Sequence, residues 1–275
     1  MSLVASSSAN SGVDDFPQAP PPVSPSELEA YRRDGYLVLR EFFDPALIQQ
    51  VSDEAEALLT ERRDLIDTNN LRCRFQPHHE NGDCLFETFD PINDLSPACD
   101  RVARDRRLLE VLEAIYGEPA VLFKDKLIFK PPGAKGYGIH QDYIAWENFP
   151  RSFLTVLVPI DSCNPENGST ELYAGLHHDG PLTPTDGNYR ELSVEQLQGA
   201  QPLKLTLAPG DIAIFGGFTP HGSSPNRSPV WRRQLYLSYN AISDGGDQRA
   251  EHYAYFQAWL KERYAEYGKP DTYFR

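Results

Sequence analysis

The chain has 275 residues and a formal net charge of −14, with a sequence pI near 4.9. Nucleic acid is a poor match as a partner, because binding it needs a basic footprint, and the acidity reads as a solvated surface. No apolar run reaches the length of a membrane span, no basic-then-apolar leader opens the chain, and Cys73, Cys84, Cys99 and Cys163 show no CxxC pairing. A cytoplasmic protein is expected.

In chain order, Met1 to Val23 is rich in Ser, Ala, Pro and Gly and reads as a disordered tail ahead of one domain over 24–275. Ser24, Pro25 and Glu27 form an N-terminal helix signature, and Gly35 stops that helix after Asp34. Tyr36 to Leu39 reads as a short strand. Asp44-Pro45 opens a second helix with an apolar stripe at Leu47, Val51, Ala55 and Leu58. Leu71 to Asp90 mixes Arg72, Arg74, His78 and His79 with phenylalanines; a surface loop and a pocket wall are both open readings. Helices are expected from Ser96 and from Asp105, the second carrying Leu108, Leu112 and Ile115 and ending at Gly117.

Strands follow. From Leu122 to Lys130, period-2 alternation puts Lys124, Lys126 and Lys130 on one face and Phe123, Leu127 and Phe129, with Asp125, on the other. Facing solvent, the lysines are unremarkable; facing a barrel interior, they are anion ligands. Phe153 to Ile160 is apolar throughout, as a strand covered on both sides should be. Asn167-Gly168 predicts a hairpin turn before Thr170 to Tyr173. Leu203 to Leu207 alternates, Pro209-Gly210-Asp211 turns, and Ile212 to Phe215 returns. Leu235 to Tyr239 is the last strand, and a helix from about Asp247 carries Tyr253, Phe256 and Leu260 on one side. Many short strands bounded by Gly and Pro and framed by helices suit a mainly β jelly-roll (double-stranded β-helix, cupin-like) core at about 121–240 with helical additions.

Three His-x-acid triplets occur: His78/Glu80, His140/Asp142 and His177/Asp179. Spacing alone does not choose among them. The middle triplet ends a strand-like run, so imidazole and carboxylate point the same way, whereas the others lie in polar or turn-rich stretches. With His221 from GDIAIFGGFTPHGSSPN, two histidines and a carboxylate suit a non-haem Fe(II) site with open positions. Tyr137, Tyr143 and Trp146 lie near it in sequence, and Arg74 and His79 lie in the stretch that would border the barrel mouth.

The segments LIFKPPGAKGYGIHQD, NPENGSTELYAGLHHDG and GDIAIFGGFTPHGSSPNRSPVWRRQLYLSYN, with the opening DGYLVLREFFDPALI, resemble the phytanoyl-CoA dioxygenase family over most of Ser26 to Asn240. The resemblance implies a jelly-roll enzyme that uses Fe(II) with 2-oxoglutarate and O2 as co-substrates. It implies His140, Asp142 and His221 as metal ligands. It implies Arg232, eleven residues after the distal histidine, as the anchor of the far carboxylate of 2-oxoglutarate, with Ser223 assisting and Lys126 lining the co-substrate site; Lys130, on the same strand face, is expected to bind 2-oxoglutarate as well. The family's usual Pro-Gly-Ser-His turn reads Ala174-Gly175-Leu176-His177 here, which bears on substrate type. A related halogenase would carry a small residue in place of Asp142, so the carboxylate argues against that rival. A non-catalytic jelly-roll binding protein is the other.

Relatives act on acyl-CoA, ectoine, phosphonates and natural-product intermediates, and no motif here separates these; oligomeric state is equally silent. The gathered cations set an expectation all the same. Burying them unpartnered is costly, so the substrate should be small, polar and anionic: a carboxylate, phosphate or phosphonate. Lys124, Tyr137, Tyr143, Trp146, Arg74 and His79 are the residues expected to shape its pocket.

Overall fold

The computed structural model describes residues 23–143 and 149–275. Trp146 and the stretch 1–22 lie outside the described residues. Val23, assigned to the tail by composition, is instead buried in the main core.

The first helix, α1 (Pro25–Asp34), has the expected ends. Ser24 and Glu27 form a reciprocal capping box, and Gly35 leaves the helix in the left-handed region with φ 81°. It leads into β1 (Tyr36–Leu39) and then α2 (Pro45–Thr60), capped by Asp44, whose Ile48, Val51, Ala55 and Leu58 are buried. The ambiguous stretch after it is a hairpin, β2 (Cys73–Pro77) and β3 (Cys84–Phe89). Two short helices, α3 (Pro97–Ala103) and α4 (Arg106–Tyr116), precede β4 (Ala120–Ile128). The remaining strands are β5 (Tyr137–His140), β6 (Leu154–Pro159), β7 (Thr170–Leu172), β8 (Leu203–Lys204), β9 (Ile212–Gly216), β10 (His221–Ser223) and β11 (Gln234–Ala241). Helix α5 (Arg249–Glu266) closes the chain.

All pairings are antiparallel, in two sheets ordered β1-β9-β6-β11-β4-β3-β2 and β5-β10-β7-β8. The larger sheet is buried on both faces, and alternation divides its side chains. Val156, Val158, Leu235, Leu237 and Tyr239 join Val51, Leu58, Leu108 and Leu112 of the helices in one core. Leu157, Ala213, Phe215 and Tyr236 face inwards and meet Leu172 of the smaller sheet in a second core. This sandwich is the jelly-roll.

Two turns behave differently from their local chemistry. Asn167-Gly168 does not close a hairpin, because β6 pairs with β9 and β11 whereas β7 pairs with β8 and β10. The turn at Pro209-Gly210-Asp211 likewise carries the chain from one sheet to the other. Turn residues fix the reversal of direction, while the sheet that the next strand joins is set by burial of its apolar face.

The helical cladding bears on the pocket through α5. Asp125, on the outer face of β4, accepts from Arg249 Nε at 2.7 Å and from the backbone N–H groups of Ile92 and Asn93. Its neighbours Lys124 and Lys126 therefore point inwards, which resolves the lysine face in favour of the interior.

Candidate active site

β5 and β10 are neighbours at the end of the smaller sheet, in a register that pairs His140 with His221. Asp142 lies two residues past His140, on the same side of the chain. Its Oδ1 is 3.8 Å from His140 Nε2 and 3.7 Å from His221 Nε2. Donor atoms of all three residues lie within 4.8 Å of one another, and among the described residues no other His, Cys, Asp and Glu group offers such a set.

Each ligand is held from behind. His140 Nδ1 meets the Gly138 carbonyl at 2.8 Å, and His221 Nδ1 meets the Thr219 carbonyl at 3.0 Å. A carbonyl only accepts, so both Nδ1 atoms carry the proton and both Nε2 lone pairs face the cluster. Thr155 donates to Asp142 Oδ2 at 3.1 Å, leaving Oδ1 turned inwards. Gln141, between the two ligands, points the other way. It donates to the carbonyls of Gly180 and Phe218 and accepts from Leu182 N–H, tying the flanking loops to this strand end.

The charge state suits a divalent ion. Burial pulls the His140 pKa down to about 4, with His221 adding to the effect, so the imidazole is neutral and its lone pair free. Burial alone would raise the Asp142 carboxyl, but His221, Lys126 and His140 together outweigh it and hold it below the usual range.

Beneath the cluster, between the sheets, lies a small cavity of about 70 Å³ lined by Lys126, Ile128, Tyr137, Thr170, Ser223 and Tyr236 beside the three ligands. Arg232 is buried behind it. Its guanidinium donates to Gln234 Oε1, but its Nε has no partner, and among the described residues no carboxylate forms an ion pair with it. A buried guanidinium with no carboxylate partner, joined through Gln234 to Tyr236 of the cavity wall, fits the far carboxylate of a dicarboxylic co-substrate. Its neighbour Arg233 points to the outer face, where it binds Asp161 and Ser52.

Lys130 departs from the expected strand face. With φ 30° it lies past the end of β4, where period-2 alternation fails. Its buried amine donates to Ser223 Oγ at 2.9 Å and to the Gly168 and Ser224 carbonyls, behind the serine rather than in the cavity. Burial and the nearby Arg232 push its pKa well below the usual lysine range.

Above the ligands opens a cavity of about 450 Å³, whose walls include Lys124, Lys126, Tyr137, Phe149, Tyr189 and Glu191. Lys124 is bridged to the buried Asp90 at 3.0 Å, and Tyr137 donates its hydroxyl to the buried Glu87. Other expected pocket residues face elsewhere. His79 Nδ1 bonds the Gly133 carbonyl, and its ring stacks on His78. Arg74 donates to the Leu71 and Cys73 carbonyls and lies over the Phe256 ring. Tyr143 packs edge-on to Phe149 and tilted on Phe218. Arg72, counted among the gathered cations, clamps Asp94 and the Arg275 carbonyl. The polar stretch Leu71 to Asp90 thus spends its cations on backbone and ion pairs rather than on the pocket.

The histidines of the third triplet are accounted for too. His177 Nε2 and His178 Nε2 meet the carbonyls of Arg32 and Arg33, the last turn of α1. They close a helix end.

The model of the phytanoyl-CoA dioxygenase (PhyH) family matches residues 31–234. The chain belongs to the phytanoyl-CoA dioxygenase family. As a member it is an Fe(II)- and 2-oxoglutarate-dependent dioxygenase, and the His140, Asp142 and His221 cluster fits the iron. Among curated family relatives, the chain is 38% identical over 141 residues to a methylphosphonate hydroxylase of Gimesia maris, covering 51% of this chain and 53% of that protein. It is 27% identical over 217 residues to a 2-aminoethylphosphonate dioxygenase of an uncultured bacterium, covering 78% and 80%. The first alignment spans about half of its relative, the second most of it. The fold is that of EctD from S. alaskensis, solved with 2-oxoglutarate and 5-hydroxyectoine: TM-score 0.68 at 24% identity, covering 83% of this chain and 81% of that one.

Sequence reasoning missed Thr155, Glu87, Tyr189 and Glu191. Each reaches the site through pairing or loop docking between distant segments, and none has a local signal.

Proposed function

We propose that this family member hydroxylates a small polar metabolite bearing an anionic group, with phosphonates as the foremost class. His140, Asp142 and His221 hold the iron. Arg232 takes the far carboxylate of 2-oxoglutarate, with Lys126 and Ser223 lining its cavity and Lys130 fixing the serine hydroxyl. When bound, iron and 2-oxoglutarate supply the oxidation, consuming O2 and releasing succinate and CO2 as a substrate C–H becomes C–OH.

The chain itself binds and orients. Thr155 keeps one oxygen of Asp142 directed at the metal. The carbonyls of Gly138 and Thr219 fix the imidazole tautomers. Tyr137, committed to Glu87, forms a wall common to both cavities.

One observation carries the substrate class: Lys124 and Lys126 stand on the inner face of β4 in the cavity beside the ligands. Lys124 is oriented by Asp90, while Lys126 lies 5.3 Å from the Tyr236 ring centroid and, among the described residues, forms no ion pair. Two ammonium groups beside a metal favour a ligand that brings its own negative charge. The phosphonates named for two relatives are of that kind.

Residues 24–275 are read as one oxygenase domain: α1 contacts β1, α4 and α5 contact β4, and α2 and α3 pack on each other and share the core of the larger sheet. A cytoplasmic setting suits the four free thiols, one of them the exposed Cys84. The test is succinate release across matched anionic, neutral and cationic compounds. Turnover restricted to neutral apolar compounds would overturn the proposal.

A further inference from the structure

The large cavity carries an acid as well as lysines. Glu191 belongs to the irregular stretch after the third triplet, which is pinned to β5 by a 2.7 Å bond from Leu192 N–H to the Ile139 carbonyl. Its carboxylate rests on Gly138, two residues before the ligand His140. A Cβ added at Gly138 would lie 2.1 Å from Glu191 Cδ and 2.3 and 2.5 Å from its oxygens. The carboxylate, at the far end of an exposed side chain, thus lies over the open face of Gly138, against the strand that supplies the first metal ligand.

Beside it stands Tyr189, whose ring centroid lies 5.0 Å from that of His140. Both side chains line the cavity shared with His140, Asp142 and the β4 lysines. Among the described residues, no cation or N–H group pairs with the Glu191 carboxylate. The cavity therefore has a cationic wall on the larger sheet and, against the smaller one, an unpaired carboxylate next to an aromatic face.

We propose that Glu191 and Tyr189 form a subsite for an ammonium group, so that the substrate is a zwitterion with an amine or quaternary ammonium at the end opposite its anion. A carboxylate supplies the counter-charge, and a tyrosine face attracts a cation through its ring quadrupole. Two wall charges of opposite sign also fix which way round a two-ended ligand lies, and so which carbon is presented to the metal. This rests on the anionic-substrate reading and adds the second end.

The experiment is calorimetric titration, without oxygen, of the full chain loaded with Fe(II) and 2-oxoglutarate. The probes are an ω-aminoalkylphosphonate and the alkylphosphonate of equal chain length. The wild type should bind the aminated compound about tenfold more tightly or better. Glu191→Gln should weaken that compound to the level of the plain one and leave the plain one unchanged. Equal binding of the two by the wild type overturns the ammonium subsite while leaving the anionic reading intact. A preference that survives Glu191→Gln, or a loss that is equal for both probes, overturns the role of Glu191. If neither phosphonate binds and neutral compounds do, the anionic reading falls and this inference with it.

Discussion

His140 and His221 are cross-strand partners, with ring centroids 4.3 Å apart although the residues are distant in sequence. The antiparallel register of β5 and β10 thus brings together two of the three metal ligands, and Asp142 follows as a direct extension of the first strand. Site geometry and sheet register are here one constraint, because a slip of one residue would turn a histidine to the other face.

Arg232 and Arg233 should behave differently. Removing one member of a charge-assisted pair costs about 2–5 kcal/mol, so Arg232→Ala should raise the 2-oxoglutarate requirement by well over about tenfold. Arg233→Ala removes bonds to Asp161 and Ser52 on the outer face and should cost stability, with the 2-oxoglutarate requirement near that of the wild type. The co-substrate dependence of succinate formation reads both, and equal effects would undo the assignment.

Lys124→Ala should raise the concentration of anionic substrate needed for half-maximal turnover and leave the 2-oxoglutarate requirement close to the wild-type value. It also leaves Asp90 buried with one fewer counter-charge, so a lower denaturation midpoint should accompany the effect. Steady-state kinetics with each compound varied in turn separates the two, and unchanged kinetics for an anionic substrate would count against the lysine.

Gly35→Ala should destabilise the fold. The backbone there has φ 81°, and an added Cβ would lie 2.5 Å from His177 Nδ1 and 2.8 Å from Thr219 Oγ1. Left-handed backbone alone costs a residue with a Cβ about 1–2 kcal/mol, and the clash adds to it. Denaturant unfolding of the variant reads the loss; a midpoint equal to the wild type would contradict the packing of α1 on this loop.

Acid should weaken the metal-free protein before its carboxylates titrate. His252 is buried against Phe123 and Phe256, and burial, helped by Lys124, holds its pKa at about 3. The unfolded chain, with a histidine near about 6.5, binds a proton that the folded chain refuses. The stability is therefore complete above about pH 6.5 and declines as pH falls, by at most about 1.4 kcal/mol per pH unit for this residue. His140, pulled down to about 4, acts in the same sense. Urea midpoints measured between pH 7 and 5 should fall, and His252→Phe should flatten the fall; an unchanged slope would contradict the account.

Elements whose cause is local were legible in the chain. The Ser24–Glu27 capping box, the fully buried β6 and the shared face of Lys124 and Lys126 follow from residue type and period, whereas the inward direction of that face is fixed by the distant partner Arg249 of Asp125. What failed depends on distant partners. Asn167-Gly168 has hairpin chemistry, yet β7 joins the other sheet. Lys130 shares the strand's parity, but the positive φ sends its amine to Ser223. Arg74 and His79 were expected at the pocket; carbonyls of Leu71, Cys73 and Gly133, which no pattern reveals, take them up. Of the site, the triad was legible because two ligands share one strand end, whereas Glu191 is placed only by its docking on Gly138.

The most direct test of the central claim is iron stoichiometry, measured without oxygen together with the weak visible charge-transfer band that appears when 2-oxoglutarate chelates Fe(II). The wild type should hold one Fe(II) per chain and develop the band. His140→Ala and His221→Ala should bind iron much more weakly and lack it. His177→Ala, which alters only the contact with the end of α1, should match the wild type in both. Iron and band retained in His140→Ala but lost in His177→Ala would contradict the assignment.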